Sequence, residues 1–217
     1  MKLTPPRIRA ARRHLRAADP VMKAMIDDVG PYTLRFERDR FAMLVRSIIS
    51  QQISTKAARA IRQRLMDLFG ADGLTAQSLV RYRIDELRSV GLSPQKASYV
   101  IDLATKVQDG AVDLRQIGRR SDETVVETLT QVKGIGQWTA QMFLIFSLGR
   151  PDVFPHDDLG VRTAIRDRYG LDDLPDKATS HSIAASWRPF ASVASWYCWR
   201  SLDLARNSET VAKGYPS

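Results

Sequence analysis

Two adjacent carboxylates, Asp157-Asp158, stand between a Phe154-Pro155-His156 turn and the opening of a helix-periodic stretch. A carboxylate there can stabilise a developing positive charge or take a proton from water, yet an aspartate at this place also caps a helix without doing any chemistry. A second segment with chemical capacity is "VKGIGQWTA", residues 132–140, in which two glycines bracket an isoleucine and a helix begins at once. One glycine can take φ > 0, the other admits a close backbone, and the isoleucine fills the apolar gap between two helices. The first N–H groups of the following helix lack intrahelical partners and carry the positive end of its dipole, so a phosphate is a favourable occupant, with Lys133 adding a mobile charge. For a glycine pair alone, a packing corner between helices is the commoner explanation. The single Cys198 cannot form an internal disulfide, supply an iron–sulfur cluster or build a thiolate zinc site, so no redox or transition-metal cofactor is expected.

The elements that must position these residues are helical almost throughout. Phe41, Leu44, Val45, Ile48 and Ile49 recur at helical spacing; after a polar break the period resumes at Ala57, Ala58, Ile61, Leu65, Leu68 and Phe69, with Gly70 as a stop. Leu92-Ser93-Pro94 opens a helix with Ala97, Val100, Ile101 and Ala104 on one side, and Ser121-Asp122 offers caps for a short helix burying Val125, Leu129 and Val132. The stretch from Trp138 to Leu148 is apolar nearly all round and predicts a buried helix. A loop follows Gly149-Arg150-Pro151, then a helix from about Leu159 to Tyr169 and a tryptophan-rich helix near Ser186 to Asn207. No strand-like alternation of useful length occurs. The expectation is an all-α protein of two helical lobes with a cleft between them. Residues 1–35 and 151–217 would form one lobe and residues 36–150 the central one, which contains the helix–hairpin–helix at about 124–148.

Composition bounds the partners. The 217 residues are 44% hydrophobic, enough for a sizeable core, and carry 33 Lys and Arg against 24 Asp and Glu, a net charge of +9. A basic balance of this size favours an acidic polymer or an anionic surface. The apolar runs are too short to span a bilayer, and the basic N-terminus lacks an apolar segment followed by a cleavage site; a cytoplasmic protein, nucleoid-associated if bacterial, is expected. Arg7, Arg9, Arg12, Arg13 and Arg16 form a basic stretch that suits a place near phosphates, although a solvated helix face is the commoner account of such a run.

The ordered set of motifs is more specific than any one of them. "LTQVKGIGQWTA" followed by "DVFPHDDLGVRTAI" resembles the helix–hairpin–helix, Gly/Pro-rich loop and aspartate signature of the base-excision DNA glycosylase superfamily. With "LVRSIISQQISTKAARAI", "GLSPQKASYVIDLA" and "WRPFASVASWYCWRSLD", the chain is similar to the 3-methyladenine DNA glycosylase II family from about Phe41 to Asp203, in its compact form without the extra N-terminal β domain. The resemblance implies a monofunctional glycosylase that flips an alkylated purine of the 3-methyladenine or 7-methylguanine type out of double-stranded DNA and hydrolyses its N-glycosidic bond. It places the catalytic role on Asp158, with Asp157 as the cap, and base stacking on Trp138 and Trp199. Gln52, rather than its neighbour Gln51, would wedge into the DNA. Lys133, Gly134, Ile135 and Gly136 would grip the backbone. Backbone carbonyls of Thr130, Val132 and Ile135 would hold a monovalent cation, Na+ or K+, and no other cofactor is required. Trp187 and Trp196 read as core. Members that also nick the strand carry a Schiff-base lysine where Trp138 stands.

A carboxylate about 3.5 Å from the positive charge that builds on the deoxyribose, at an effective dielectric of about 20, contributes about 4 to 5 kcal/mol, or about three decades of rate. The remainder can come from the leaving group, since a methylated purine already carries positive charge and departs without a general acid. An indole face attracts such a cationic ring by about 0.5 to 2 kcal/mol. The protein is expected to act as a monomer. The competing reading is a non-catalytic helix–hairpin–helix protein for lesion sensing, which would bind DNA in a salt-sensitive way and release no base.

Overall fold

Asp19, Asp39, Ser54, Thr75, Ser93, Ser121, Asp158 and Asp176 each stand one residue before a helix, and the side chain of each accepts a backbone N–H from its first turn. Each such bond satisfies a donor that the helix itself leaves without a partner. The computed structural model describes residues 2–212, and the side chains of 2–71 and 73–206. Among these residues there are twelve α-helices and no strand. They are α1 (Pro5–Ala18), α2 (Pro20–Val29), α3 (Arg40–Ser50), α4 (Thr55–Phe69), α5 (Ala76–Leu79), α6 (Ile84–Ser89), α7 (Pro94–Gln108), α8 (Asp122–Thr130), α9 (Gln137–Phe143), α10 (Leu159–Tyr169), α11 (Lys177–Ala184) and α12 (Ala191–Ala212). The all-α expectation holds.

Two elements differ from the periodicity. The apolar run after Trp138 is not one regular helix, because α9 passes into a wider π-helical turn at Leu144–Leu148. The last helix starts at Ala191 rather than near Ser186: Ala185–Trp187 is a 3-10 turn, and Pro189, which lacks an N–H and disfavours a helical residue before it, separates that turn from α12.

The chain divides into two compact units, one of Glu37–Ser147 and the other from the described residues of Met1–Phe36 and Leu148–Ser217. In the first, α3 packs on α4, α7 and α9, and α8 packs on α9. In the second, α12 packs on α1, α2 and α10. The core of this second unit gathers Leu15, Met22, Ile26, Val161, Ile165, Trp187 and Tyr197, all inaccessible to solvent. One carboxylate is buried beside it. Asp19 caps α2 through Oδ1, and its Oδ2 accepts from the Tyr169 hydroxyl at 2.5 Å, the Trp187 indole at 3.2 Å and Ser186 at 3.2 Å. Burial first, and this bond second, push the Tyr169 phenol up. The C-terminal end of α10 is thereby tied to the start of α2. Of the basic N-terminal stretch, Arg16 pairs with Asp27 at 2.5 Å. No helix among the described residues is long and apolar enough to cross a membrane.

Candidate functional site

The loop that delivers Asp158 is clamped along its length. Val153 N–H donates to the Ser192 hydroxyl at 2.8 Å, and Asp152 accepts from Ala191 N–H and from Arg188. The buried Phe154 ring meets His181 and Trp187 edge-on, at centroid distances of 5.2 and 5.6 Å. His156 is buried against His181 at 5.1 Å, and its Nε2 lies 3.1 Å from Asp157. Desolvation, followed by the charges of His156, Lys177 and Arg188, holds the His181 imidazole below its ordinary value of 6.5. Backbone bonds from His156 N–H to the Phe154 carbonyl and from Asp158 N–H to the Pro155 carbonyl complete a tight turn.

At the end of this turn Asp158 is itself the N-cap of α10, its Oδ1 accepting the Val161 N–H at 2.8 Å. The assignment of the cap to Asp157 is therefore corrected: Asp157 lies one residue too early to reach the first turn, and its side chain is 72% exposed. Asp158 is only 8% exposed. The same Oδ1 accepts the Trp199 indole N–H at 2.8 Å. The positive end of the α10 dipole and two charge-assisted hydrogen bonds thus hold an anion at a site nearly closed to water. Trp199, half-buried on α12, commits its N–H edge to the carboxylate. Trp187 and Trp196 are 0% and 5% exposed and belong to the core, as expected.

The other sequence-predicted residues lie in the Glu37–Ser147 unit. Gly134 has φ +80°, and a Cβ there would collide with the Tyr99 ring, so both conformation and packing require glycine. Ile135 is buried, and its N–H donates to the Val132 carbonyl at 3.0 Å. Gly136 caps α9 with ordinary φ, and a Cβ on it would meet nothing within 4 Å. Among the described residues, none makes the close approach expected at this glycine. Lys133 is exposed, and its own N–H donates to Asp102 at 2.8 Å. Asp102 also holds Lys106 at 2.6 Å. Trp138, in the first turn of α9, is 45% exposed, unusual for so large an apolar ring. Thr130 ends α8, with its hydroxyl turned back to the Val126 and Glu127 carbonyls.

The glutamine pair divides into two roles. Gln51 is half-buried, and its Nε2 donates to the Gly134 carbonyl at 2.7 Å, fixing the α3–α4 turn to the hairpin. Gln52 is exposed and is the only non-glycine among the described residues with positive φ, at 55°.

Lys96 is a residue that periodicity missed. Its ammonium donates to the carbonyls of Ile49 at 2.7 Å and Gln51 at 2.5 Å, satisfying the C-terminal end of α3, and partial burial lowers its pKa. A signal existed: Lys96 sits in the first turn of α7, where the dipole disfavours a cation, so an outside partner was to be expected. A recess of about 230 Å³ at the α3–α4 junction, lined by Arg46, Arg59, Arg62, Ser50 and Thr55, also carried no sequence pattern.

Comparison with known proteins places this geometry in context. A model of the HhH-GPD superfamily base excision DNA repair protein matches residues 45–189. DNA-3-methyladenine glycosylase 1 of Schizosaccharomyces pombe is 32% identical over 206 residues, covering 93% of this chain and 90% of the relative. A Bacillus subtilis relative is 30% identical over 84% of this chain, which spans 66% of that relative's length. Among solved structures, the Schizosaccharomyces pombe 3-methyladenine DNA glycosylase in complex with abasic DNA superposes with a TM-score of 0.82 at 32% identity, covering 90% of this chain and 98% of that one.

Proposed function

Because this chain belongs to the HhH-GPD superfamily of base excision DNA repair proteins, we propose that it is a monofunctional DNA glycosylase. It removes alkylated purines of the 3-methyladenine or 7-methylguanine type from double-stranded DNA by hydrolysis and leaves the strand intact. The observation that carries this reading is the nearly buried Asp158 carboxylate, held by the first turn of α10 and by the Trp199 indole.

In the reaction the C1′–N bond breaks and its electron pair leaves with the cationic purine. Asp158 stabilises the positive charge left on the sugar and orients the water whose oxygen then bonds to C1′, the released proton passing to the carboxylate or to solvent. Preorganisation gives the anion its value. Both N–H donors are already in place, so the carboxylate does not have to reorient as charge develops. Trp138 in one unit and Trp199 in the other are each assigned a stacking role, because an indole face attracts a cationic purine. The absence of lysine at 138 leaves no amine there for a Schiff base, and the strand is not cut.

Gln52, exposed at the turn while Gln51 anchors it, fills the space the base vacates. Lys133 and the Gly134-Ile135-Gly136 backbone grip phosphates, and the open space over Gly136 suits a close backbone approach. Backbone carbonyls of Thr130, at the negative end of α8, and of Val132 and Ile135 would supply the hard oxygens that Na+ or K+ takes, the Val132 carbonyl also accepting the Ile135 N–H. A cation there would tie the hairpin turn together.

The test is chromatography of the bases released from DNA treated with a methylating agent, with wild type and Asp158→Asn side by side. The wild type releases free 3-methyladenine or 7-methylguanine. Asp158→Asn, which still caps α10, loses on the order of 10³-fold in rate while still binding the DNA. Release at the wild-type rate by the asparagine variant would refute the catalytic assignment.

A further inference from the structure

Gly160 occupies the second position of α10, two residues after Asp158. Its backbone is ordinary helix, unlike the left-handed glycines of the chain, so no conformational need explains it. Glycine is also the poorest helix former after proline. The explanation lies in what a side chain there would touch. A Cβ on residue 160 would fall 2.9 Å from Trp199 Cδ1, 3.1 Å from Asp158 Oδ1 and 3.2 Å from Trp199 Nε1. These three nearest atoms belong to the two partners of the 2.8 Å hydrogen bond.

We infer that Gly160 is a positioning residue of the active site: the missing methyl is what allows the Trp199 indole to lie against α10 and donate to Asp158. The inference rests on the catalytic reading of Asp158 for its effect on rate, though not for its effect on geometry. A tryptophan ring is rigid, and Trp199 is half-buried on a long helix, so it cannot yield to a methyl as the end of a flexible chain would. The bond from Val161 N–H to Asp158 is made along α10 itself and does not involve the indole. Adding a methyl therefore presses the Trp199 ring away from the carboxylate, and because the same methyl crowds Asp158 Oδ1, the gain in helix propensity is offset by overpacking and by the lost hydrogen bond.

The experiment uses Gly160→Ala, Trp199→Phe, the double variant and Asp158→Asn in the full chain. It reads single-turnover release of 7-methylguanine at saturating enzyme, thermal denaturation, and the indole N–H resonances. The Trp199 resonance is identified by its loss in Trp199→Phe. Gly160→Ala is expected to slow release on the order of 10²-fold, with a displaced Trp199 resonance and a Tm no higher than that of wild type. Trp199→Phe removes the N–H but keeps a ring, and the double variant should then lose much less than the product of the two single effects, because the bond the methyl acts on is already gone. A Gly160→Ala rate within twofold of wild type, or a double variant that loses the product of the two single effects, overturns the inference. Should Asp158→Asn release base at the wild-type rate, the catalytic reading fails by itself; the Trp199 resonance in Gly160→Ala then decides, displacement supporting the inference and an unmoved signal overturning it.

Discussion

Asp158 carries two duties on one oxygen, and substitutions separate them. Asparagine retains an oxygen for the Val161 and Trp199 N–H groups and is as good an N-cap as aspartate, so Asp158→Asn should melt within a degree or two of wild type while losing activity. Alanine removes the cap and leaves a half-buried indole donor without its acceptor. Asp158→Ala should therefore lose about 2 to 3 kcal/mol of stability, measured by urea unfolding, as well as its activity. Equal unfolding midpoints for the two variants would show that the capping bond does not matter to the fold. At this scale the sequence put the chemistry on the second aspartate only through family resemblance, since one residue of register decides which carboxylate reaches Val161 and spacing alone allowed both. It gave no sign of the Trp199 bond, whose partners are 41 residues apart, nor of why residue 160 must be glycine.

The turn between α3 and α4 is held from outside rather than by its own sequence. Lys96 on α7 closes the end of α3, Gln51 reaches the hairpin, and Gln52 is left exposed in a backbone conformation that costs a non-glycine residue about 1 kcal/mol. Lys96→Met keeps the length of the side chain but leaves the Ile49 and Gln51 carbonyls without their donor. It should cost about 1 to 3 kcal/mol in urea unfolding. If the turn positions Gln52 against DNA, the same variant also weakens binding to an abasic duplex at conditions where it remains folded; unchanged affinity would detach Lys96 from the DNA-binding role. Helix caps and stops at Gly70, Ser93 and Ser121 were legible because they act on their nearest neighbours. The short α5, α6 and α11 were not, because four to eight residues hold too few turns for a period to register.

For the whole molecule, the net charge of +9 sets how binding responds to salt. Each phosphate neutralised releases condensed counterions, so affinity for undamaged duplex should fall steeply between 50 and 200 mM salt, by about 0.9 log units per log unit of salt for each contact. Lys133→Ala should make that slope shallower by about one, with little effect on stability because the side chain is exposed. An unchanged slope would remove Lys133 from the phosphate grip. The amino-acid sequence by itself determined the helical class, the hairpin with its glycine pair and buried Ile135, the core role of Trp187 and Trp196, and the family through the order of its motifs. Those properties depend on helical period, capping and local sterics, which act over a few residues. Only the tertiary structure decided that Asp158 rather than Asp157 caps α10, that Gln51 anchors while Gln52 is presented, that Lys96 closes α3, and that Gly160 makes room for Trp199. The physical reason is that these depend on which surfaces packing brings within 3 Å of one another, and no periodicity along the chain encodes that.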